Sequence, residues 1–242
     1  MGHLRRKCCR FLFRSPILNT AGGIIPLSPF FATFTAVQPG VAPNLALVGG
    51  SELGSTVIMQ NNTLWGVQTV LDNGQAALRW FQVDVDTNKV LQEGLIKKPG
   101  IDFFYGSIAV NKSGDVVIGF TGSGKSQFAS AYAVAGMTIN GKTVFGDPLL
   151  LQEGVASYRR IRWGDYSATT LDPSNSKSFW TIQEWASGET SWSTQITEIR
   201  FGFAAAPEPS TLVLVGSGLW GLAGWRRCRR PGSYECNNSG GS

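Results

Sequence analysis

Short runs of apolar and aromatic residues alternate with turn-forming residues along most of this chain, and this alternation limits its fold more than any other feature. The runs are rich in Val, Ile, Thr, Phe and Trp, which pack well on a pleated sheet. The chain also contains 30 Gly and 11 Pro, which favour tight turns over long helices. The clearest runs are residues 64–70, 77–83, 103–110, 115–120, 179–184 and 194–200. We therefore predict an all-β, antiparallel fold.

The segments between these runs carry residues that tolerate positive φ or bond to their own backbone. Examples are Asp72-Asn73-Gly74, Asp86-Thr87-Asn88, Asn111-Lys112-Ser113-Gly114 and Asp172-Pro173-Ser174-Asn175. Because such turns reverse the chain within a few residues, neighbouring runs are predicted to pair as hairpins.

A weak internal repeat suggests how the hairpins are grouped. Leu91-Gln92-Glu93-Gly94 recurs 60 residues later as Leu151-Gln152-Glu153-Gly154. A period of about 50 to 60 residues predicts propeller-like blades of roughly four strands, about three of them in this chain. A closed ring typically needs about four to eight blades, so the prediction is a partial propeller or another β-sandwich or barrel. Residues 104–111 and 162–167 also resemble the closing blades of bacterial surface propeller-like proteins.

The net charge of +5 is a property of the chain ends. Residues 1–36 and 204–242 hold nine of the 21 basic residues, whereas residues 37–203 hold 12 Lys or Arg against 14 Asp or Glu. A core with this balance offers no electrostatic footprint to phosphate backbones, so nucleic-acid binding is excluded as a main function. All four cysteines are also terminal, which leaves the core without a disulfide framework.

Four segments are predicted from these shifts in composition. Residues 1–36 begin basic and turn apolar, but Arg14 and Pro16 interrupt the apolar stretch, so we expect a poor signal peptide or a misplaced start. Residues 37–203 are predicted to form the β-rich domain. A tail of residues 204–230 follows, and residues 231–242 are expected to be a disordered extension.

The tail combines three features in a fixed order. Pro207, Glu208 and Pro209 precede an uncharged apolar run of residues 210–225, which is predicted to form a single transmembrane helix. A basic cluster follows directly and would face the cytoplasm by the positive-inside rule: Arg226, Arg227, Arg229 and Arg230.

This order resembles the PEP-CTERM sorting signal of Gram-negative bacteria. The resemblance implies that an exosortase, a membrane processing enzyme, recognises Pro207, Glu208 and Pro209. It also implies export to the envelope or the exterior, with the helix anchoring the chain in the inner membrane before processing. Such bacteria usually make exopolysaccharide, so the core is expected to be an extracytoplasmic binding or structural module associated with polysaccharide.

Residues 119–126 satisfy the P-loop pattern, with Gly119, Gly124, Lys125 and Ser126 at its defining positions. A nucleoside triphosphatase would need a helix after this loop and a parallel sheet around it. The flanking residues instead predict hairpins, so we expect a glycine-rich turn without a nucleotide function. A P-loop NTPase remains a remote alternative.

Other catalytic chemistry is limited by residue type. The single histidine is His3, outside the core, which excludes a Ser-His-Asp triad and histidine-based zinc sites there. Residues 84–95 lack the Gly and Glu of an EF-hand, so a hairpin turn is expected there, with a looser surface calcium site as the alternative. No metal ligands and no cofactor are assigned. A glycoside hydrolase stays the alternative function, because four core acids could include a catalytic pair: Asp115, Asp165, Glu184 and Glu198.

The densest group of candidate ligand-binding residues combines aromatic rings with arginine. Its members are Arg162, Trp163, Asp165 and Tyr166. Rings and guanidinium groups together suit sugars or acidic polysaccharide, so these residues are a candidate ligand patch. The alternative is that both rings pack in the interior while the arginines face water.

Overall fold

A computed structural model of the protein describes residues 27, 35–40, 45–46, 56–160 and 162–202. These residues form β-strands joined by turns and loops, and every strand pairing is antiparallel. The all-β antiparallel prediction is therefore confirmed. The tail and the predicted transmembrane helix lie outside the described residues, which contain no helix long and apolar enough to cross a membrane.

The first sheet is a meander of four strands in chain order: β3 (Ile58–Gln60), β4 (Thr63–Asp72), β5 (Gln75–Asp84) and β6 (Lys89–Ile96). Asn73 and Gly74 join β4 to β5 with φ values of 49° and 80°. A two-residue turn with both φ angles positive matches the twist of paired strands, which explains why Asn-Gly stands here. Two short strands precede the sheet and pair with each other: β1 (Thr35–Ala36) and β2 (Leu45–Ala46).

The central sheet has five strands, with β9 pairing to both of the last two. They are β7 (Ile101–Val110), β8 (Val116–Gly124), β9 (Gln127–Ile139), β10 (Lys142–Phe145) and β11 (Leu149–Gln152). The third sheet is the meander β12 (Ala168–Leu171), β13 (Ser178–Ala186) and β14 (Trp192–Arg200).

An apolar layer joins the first sheet to the central sheet. Phe103 and Phe120 meet at 4.7 Å between ring centroids, and Trp65 stacks on Trp80 at 6.1 Å. Burying a large apolar side chain contributes about 1.5–3 kcal/mol, so this layer is the main source of stability. Its other members include Val67, Leu78, Ile96, Ile101, Ile108, Val110, Val116, Ile118, Tyr132 and Val134.

A bulge in β7 keeps this layer continuous. Pairing with β8 shifts register between Phe104 and Ser107, and Tyr105 lies within the shift with a φ of 52°. In a regular strand, Phe103 and Ile108 would face opposite sides, because side chains alternate with a period of two. The extra residue restores both to the apolar layer and turns Ser107 towards the third sheet.

A polar layer links the central and third sheets, next to a smaller apolar cluster that includes Phe104, Ala129 and Ala186. Ser107 Oγ lies 2.8 Å from Thr169 Oγ1, and the Gln183 amide donates to Ser107 Oγ at 3.0 Å and to Thr181 Oγ1 at 2.8 Å. Gly119 of β8 makes room for this network, since a Cβ there would collide with the Thr181 hydroxyl and the Gln183 amide. Directional bonds therefore fix how the third sheet sits on the central one.

The three sheets have four, five and three strands, which differs from the predicted four in each. None of the sheets closes on itself or on another among the described residues, so a propeller is not shown. The two copies of the repeat occupy comparable positions. Residues 91–94 lie in β6, the last strand of the first sheet, and residues 151–152 end β11, the last strand of the central sheet in chain order.

Candidate functional site

Residues 162–167, here called the capping loop, contact both the central sheet and β13 of the third sheet. The loop is tied to β13 by Glu184, whose Oε2 accepts a 2.7 Å hydrogen bond from the Gly164 backbone N–H. Glu184 is only 2% exposed, and its burial raises the pKa of this carboxyl. The backbone bond from Gly164 opposes the rise, while the nearby charge of Asp165 adds to it. Glu184 is thus a buried acid that holds the loop in place.

Close backbone packing also restricts the loop. Gly164 has a φ of 95°, and an ideal Cβ there would lie 2.5 Å from carbon atoms of the Tyr105 ring. Only glycine fits both the conformation and the space. Ser167 adds a second tie, because its hydroxyl donates to the Tyr105 carbonyl at 3.0 Å. The bulged residue Tyr105 therefore forms the floor on which the capping loop rests.

Trp163 anchors the loop in the interior. It is 5% exposed, its indole N–H donates to Thr121 Oγ1 at 3.2 Å, and its ring meets Tyr158 edge to face at 4.9 Å. A buried indole with a satisfied N–H has no free face for a ligand. Trp163 therefore does not share the surface with the other three residues of the predicted ligand patch.

The exposed side of the capping loop carries an aromatic pair. Tyr166 stacks on Trp192, the first residue of β14, with ring centroids 4.5 Å apart and planes 24° apart. The two side chains remain 51% and 41% exposed. Next to them in sequence, Arg162 and Asp165 form an ion pair at 2.9 Å with both side chains in solvent. We call Arg162, Asp165, Tyr166 and Trp192 the aromatic surface.

Sequence reasoning missed Trp192. It lies 26 residues from Tyr166 and begins a strand after the turn of residues 187–191, and no local pattern connects the two rings. Three of the four predicted patch residues, Arg162, Asp165 and Tyr166, are exposed on the capping loop.

The P-loop residues lie in a β-hairpin. Gly119 and Gly124 belong to β8, and the exposed Lys125 and Ser126 form the turn into β9. Gly119 faces the polar layer, and a Cβ at Gly124 would crowd the Gly100 carbonyl. The glycines thus serve strand packing, and antiparallel strands stand where a P-loop fold needs a helix.

The four candidate acids have separate roles. Asp115 accepts a 2.8 Å bond from the Asn111 amide beside a turn, and Glu198 pairs with Arg200 at 2.7 Å on β14. Only Asp165 and Glu184 share a location, and the capping loop closes over the Glu184 carboxyl. Among the described residues, no group of three or more His, Cys, Asp or Glu could hold a metal ion.

The sorting residues 207–209 and the arginines of 226–230 lie outside the described residues, so their assignment comes from comparison with known proteins. Residues 205–230 match the PEP-CTERM protein-sorting motif. PEP-CTERM motifs are recognised by exosortases, so the match indicates an exported, envelope-directed protein. The match covers the tail and does not extend into the β-sheets. No curated protein matches the chain.

Proposed function

We propose that this protein is an exported, envelope-sorted module that binds polysaccharide on its aromatic surface and acts by binding, not catalysis. The PEP-CTERM motif supports export, and the exposed Tyr166–Trp192 stack is the observation that supports binding. The same proposal places residues 210–225 in the inner membrane as a helix until an exosortase processes the tail at Pro207, Glu208 and Pro209.

The chemistry of the aromatic surface favours acidic sugars. Aromatic rings pack on the apolar faces of sugar rings, and Tyr and Trp supply a large contact area with a polar tip. Arg162 adds a planar guanidinium suited to carboxylates. An exposed ion pair is worth only about 0–1 kcal/mol, so Arg162 can exchange Asp165 for a sugar carboxylate at little cost.

Calorimetry with a uronic-acid polymer and a neutral glucan tests this proposal. We expect the wild-type protein to bind the acidic polymer, and Tyr166→Ala and Trp192→Ala each to weaken binding at least about tenfold, which is 1.4 kcal/mol. Met137→Ala is the matched control, because Met137 is equally exposed on the central sheet. Absence of binding in the wild type, or equal loss in the control, contradicts the proposal.

We also propose that the three sheets are successive propeller blades. They follow one another in chain order, and β7 contacts β4 and β5 on one side and β12 on the other, as the first strand of a middle blade would. A crystal structure of the full chain tests this, since the first strands of successive blades must line one common axis. Strands that diverge from such an axis would contradict it.

A further inference from the structure

The outer edge of β14 is long and regular. Its nine residues pair with β13 without a register shift, and no other strand of the described part of the chain pairs with its far side. It contains neither Pro nor Lys, and none of its side chains is buried. Proteins usually protect exposed edges with short strands, bulges, Lys or Pro, because an open edge pairs readily with another strand.

Other sheet edges show those protections. The edge strands β3 and β12 have three and four residues. β6 carries Lys89 and a register shift, and β7 is bulged and almost wholly buried. The contrast indicates that, within the described ranges, the edge of β14 is the one left open for pairing.

The sequence of β14 is complementary to itself in one antiparallel register. When the pairing is centred on Ile196, Ile196 faces its own copy, Thr194 faces Glu198 and Trp192 faces Arg200. All of these side chains lie on one face of the third sheet, because they occupy alternate positions of the strand, and Trp192, Ile196 and Arg200 on that face are exposed. No like charges stand opposite each other, which a symmetric pairing requires.

The facing residues also match chemically. Ile196 is 61% exposed and lies opposite Ile182 within the third sheet, so the pairing would create a row of four isoleucines. At each end, the Arg200 guanidinium of one copy would meet the Trp192 ring of the other, a cation–π arrangement. Glu198, which already binds Arg200 at 2.7 Å, would orient that guanidinium.

We propose that two copies of this chain pair antiparallel through β14, which joins their third sheets into one six-stranded sheet. The inference does not depend on polysaccharide binding, because the pairing is centred on Ile196, although Trp192 belongs both to β14 and to the Tyr166–Trp192 stack. It does place the aromatic surfaces of the two copies on one face.

Disulfide trapping tests both the pairing and its register, using the full chain in mild detergent with Cys8, Cys9, Cys228 and Cys236 changed to Ser. Residues directly opposite in an antiparallel pair have Cα atoms about 4.5–5.5 Å apart, within disulfide range. We expect Ile196→Cys to form a covalent dimer on mild oxidation. The Thr194→Cys variant should remain monomeric by itself and should form a disulfide-linked dimer when mixed with the Glu198→Cys variant. Equal cross-linking of Thr194→Cys with itself, or none by Ile196→Cys, overturns the register.

Light scattering over a concentration series supplies a test without cysteines. We expect a dimer for the wild type and at least tenfold weaker dimerisation for Ile196→Lys, with an unchanged thermal transition at low concentration. Met59→Lys is the matched control, because Met59 is also 61% exposed but lies on β3. A monomeric wild type at every concentration, or equal weakening by Met59→Lys, overturns the proposal.

Discussion

The Gly164 backbone N–H donates a 2.7 Å hydrogen bond to Glu184 Oε2, and this contact ties an exposed loop to a carboxyl that is buried in β13. The tie determines where Tyr166 lies, since Tyr166 follows Gly164 by two residues and its backbone also bonds to Glu184. Glu184 is therefore a positioning residue for the Tyr166–Trp192 stack.

Stability should depend on the ionisation of Glu184. Burial raises the pKa of Glu184 above its value of 4.5 in the unfolded chain. The contribution of Glu184 to the free energy of unfolding is therefore fully present below pH 4.5. It is lost as the pH rises through the higher pKa of the folded state. Glu184→Gln removes this dependence. Urea unfolding at pH 4 and pH 7 should show that the wild type gains stability relative to Glu184→Gln on acidification. A change in the opposite direction contradicts the assignment.

Asp172 should behave in the opposite way. Hydrogen bonds, first from the Ser174 hydroxyl and then from the Trp180 indole, lower the pKa of Asp172 to about 2. Its contribution is present above the unfolded value of 3.8 and is lost as the pH falls through about 2. The fluorescence of Trp180 should titrate with that midpoint, and Ser174→Ala should raise it. A wild-type midpoint near 3.8 would show that the bonds do not form.

Processing should depend on the sorting residues. We expect Glu208→Gln or paired replacement of Pro207 and Pro209 to leave the full-length chain in the inner-membrane fraction, because these residues lie near the start of the matched residues 205–230. Immunoblots of cell fractions and the mass of the mature protein measure the effect. Glu235→Gln lies beyond the matched residues and is the control. Normal processing of the Glu208 variant would exclude recognition through that residue.

Lys125 should be dispensable for ligand binding. The side chain is exposed in the hairpin turn between β8 and β9, so Lys125→Ala is expected to change the free energy of unfolding by less than about 0.5 kcal/mol. Thermal melts with and without magnesium and ATP should coincide for both proteins. Nucleotide stabilisation of the wild type that the variant lacks would instead support an NTPase.

The strands could be predicted from the sequence where local chemistry decides them. Asn73 and Gly74 can adopt the positive φ values of a tight hairpin turn, and that turn sets the pairing of β4 with β5. The bulge at Tyr105 was not predictable, because an aromatic residue with positive φ is tolerated only when surrounding packing holds it.

The candidate site could be predicted only in part for the same reason. The residue types of Arg162, Asp165 and Tyr166 suggested a ligand patch, and all three are exposed on the capping loop. The inward turn of Trp163 depends on Thr121, a partner 42 residues away. The stacking of Trp192 likewise depends on how the third sheet folds back under the loop.

The two faces of the central sheet give the protein an uneven tolerance of mutation. The apolar layer can exchange one hydrocarbon side chain for another of similar volume, because dispersion and burial are not directional. The polar layer has no such freedom, since one methyl group at Gly119 would displace both Thr181 and Gln183. Sequence drift should therefore accumulate in the first interface, while relatives that have diverged widely should still keep small and hydroxyl residues in the second.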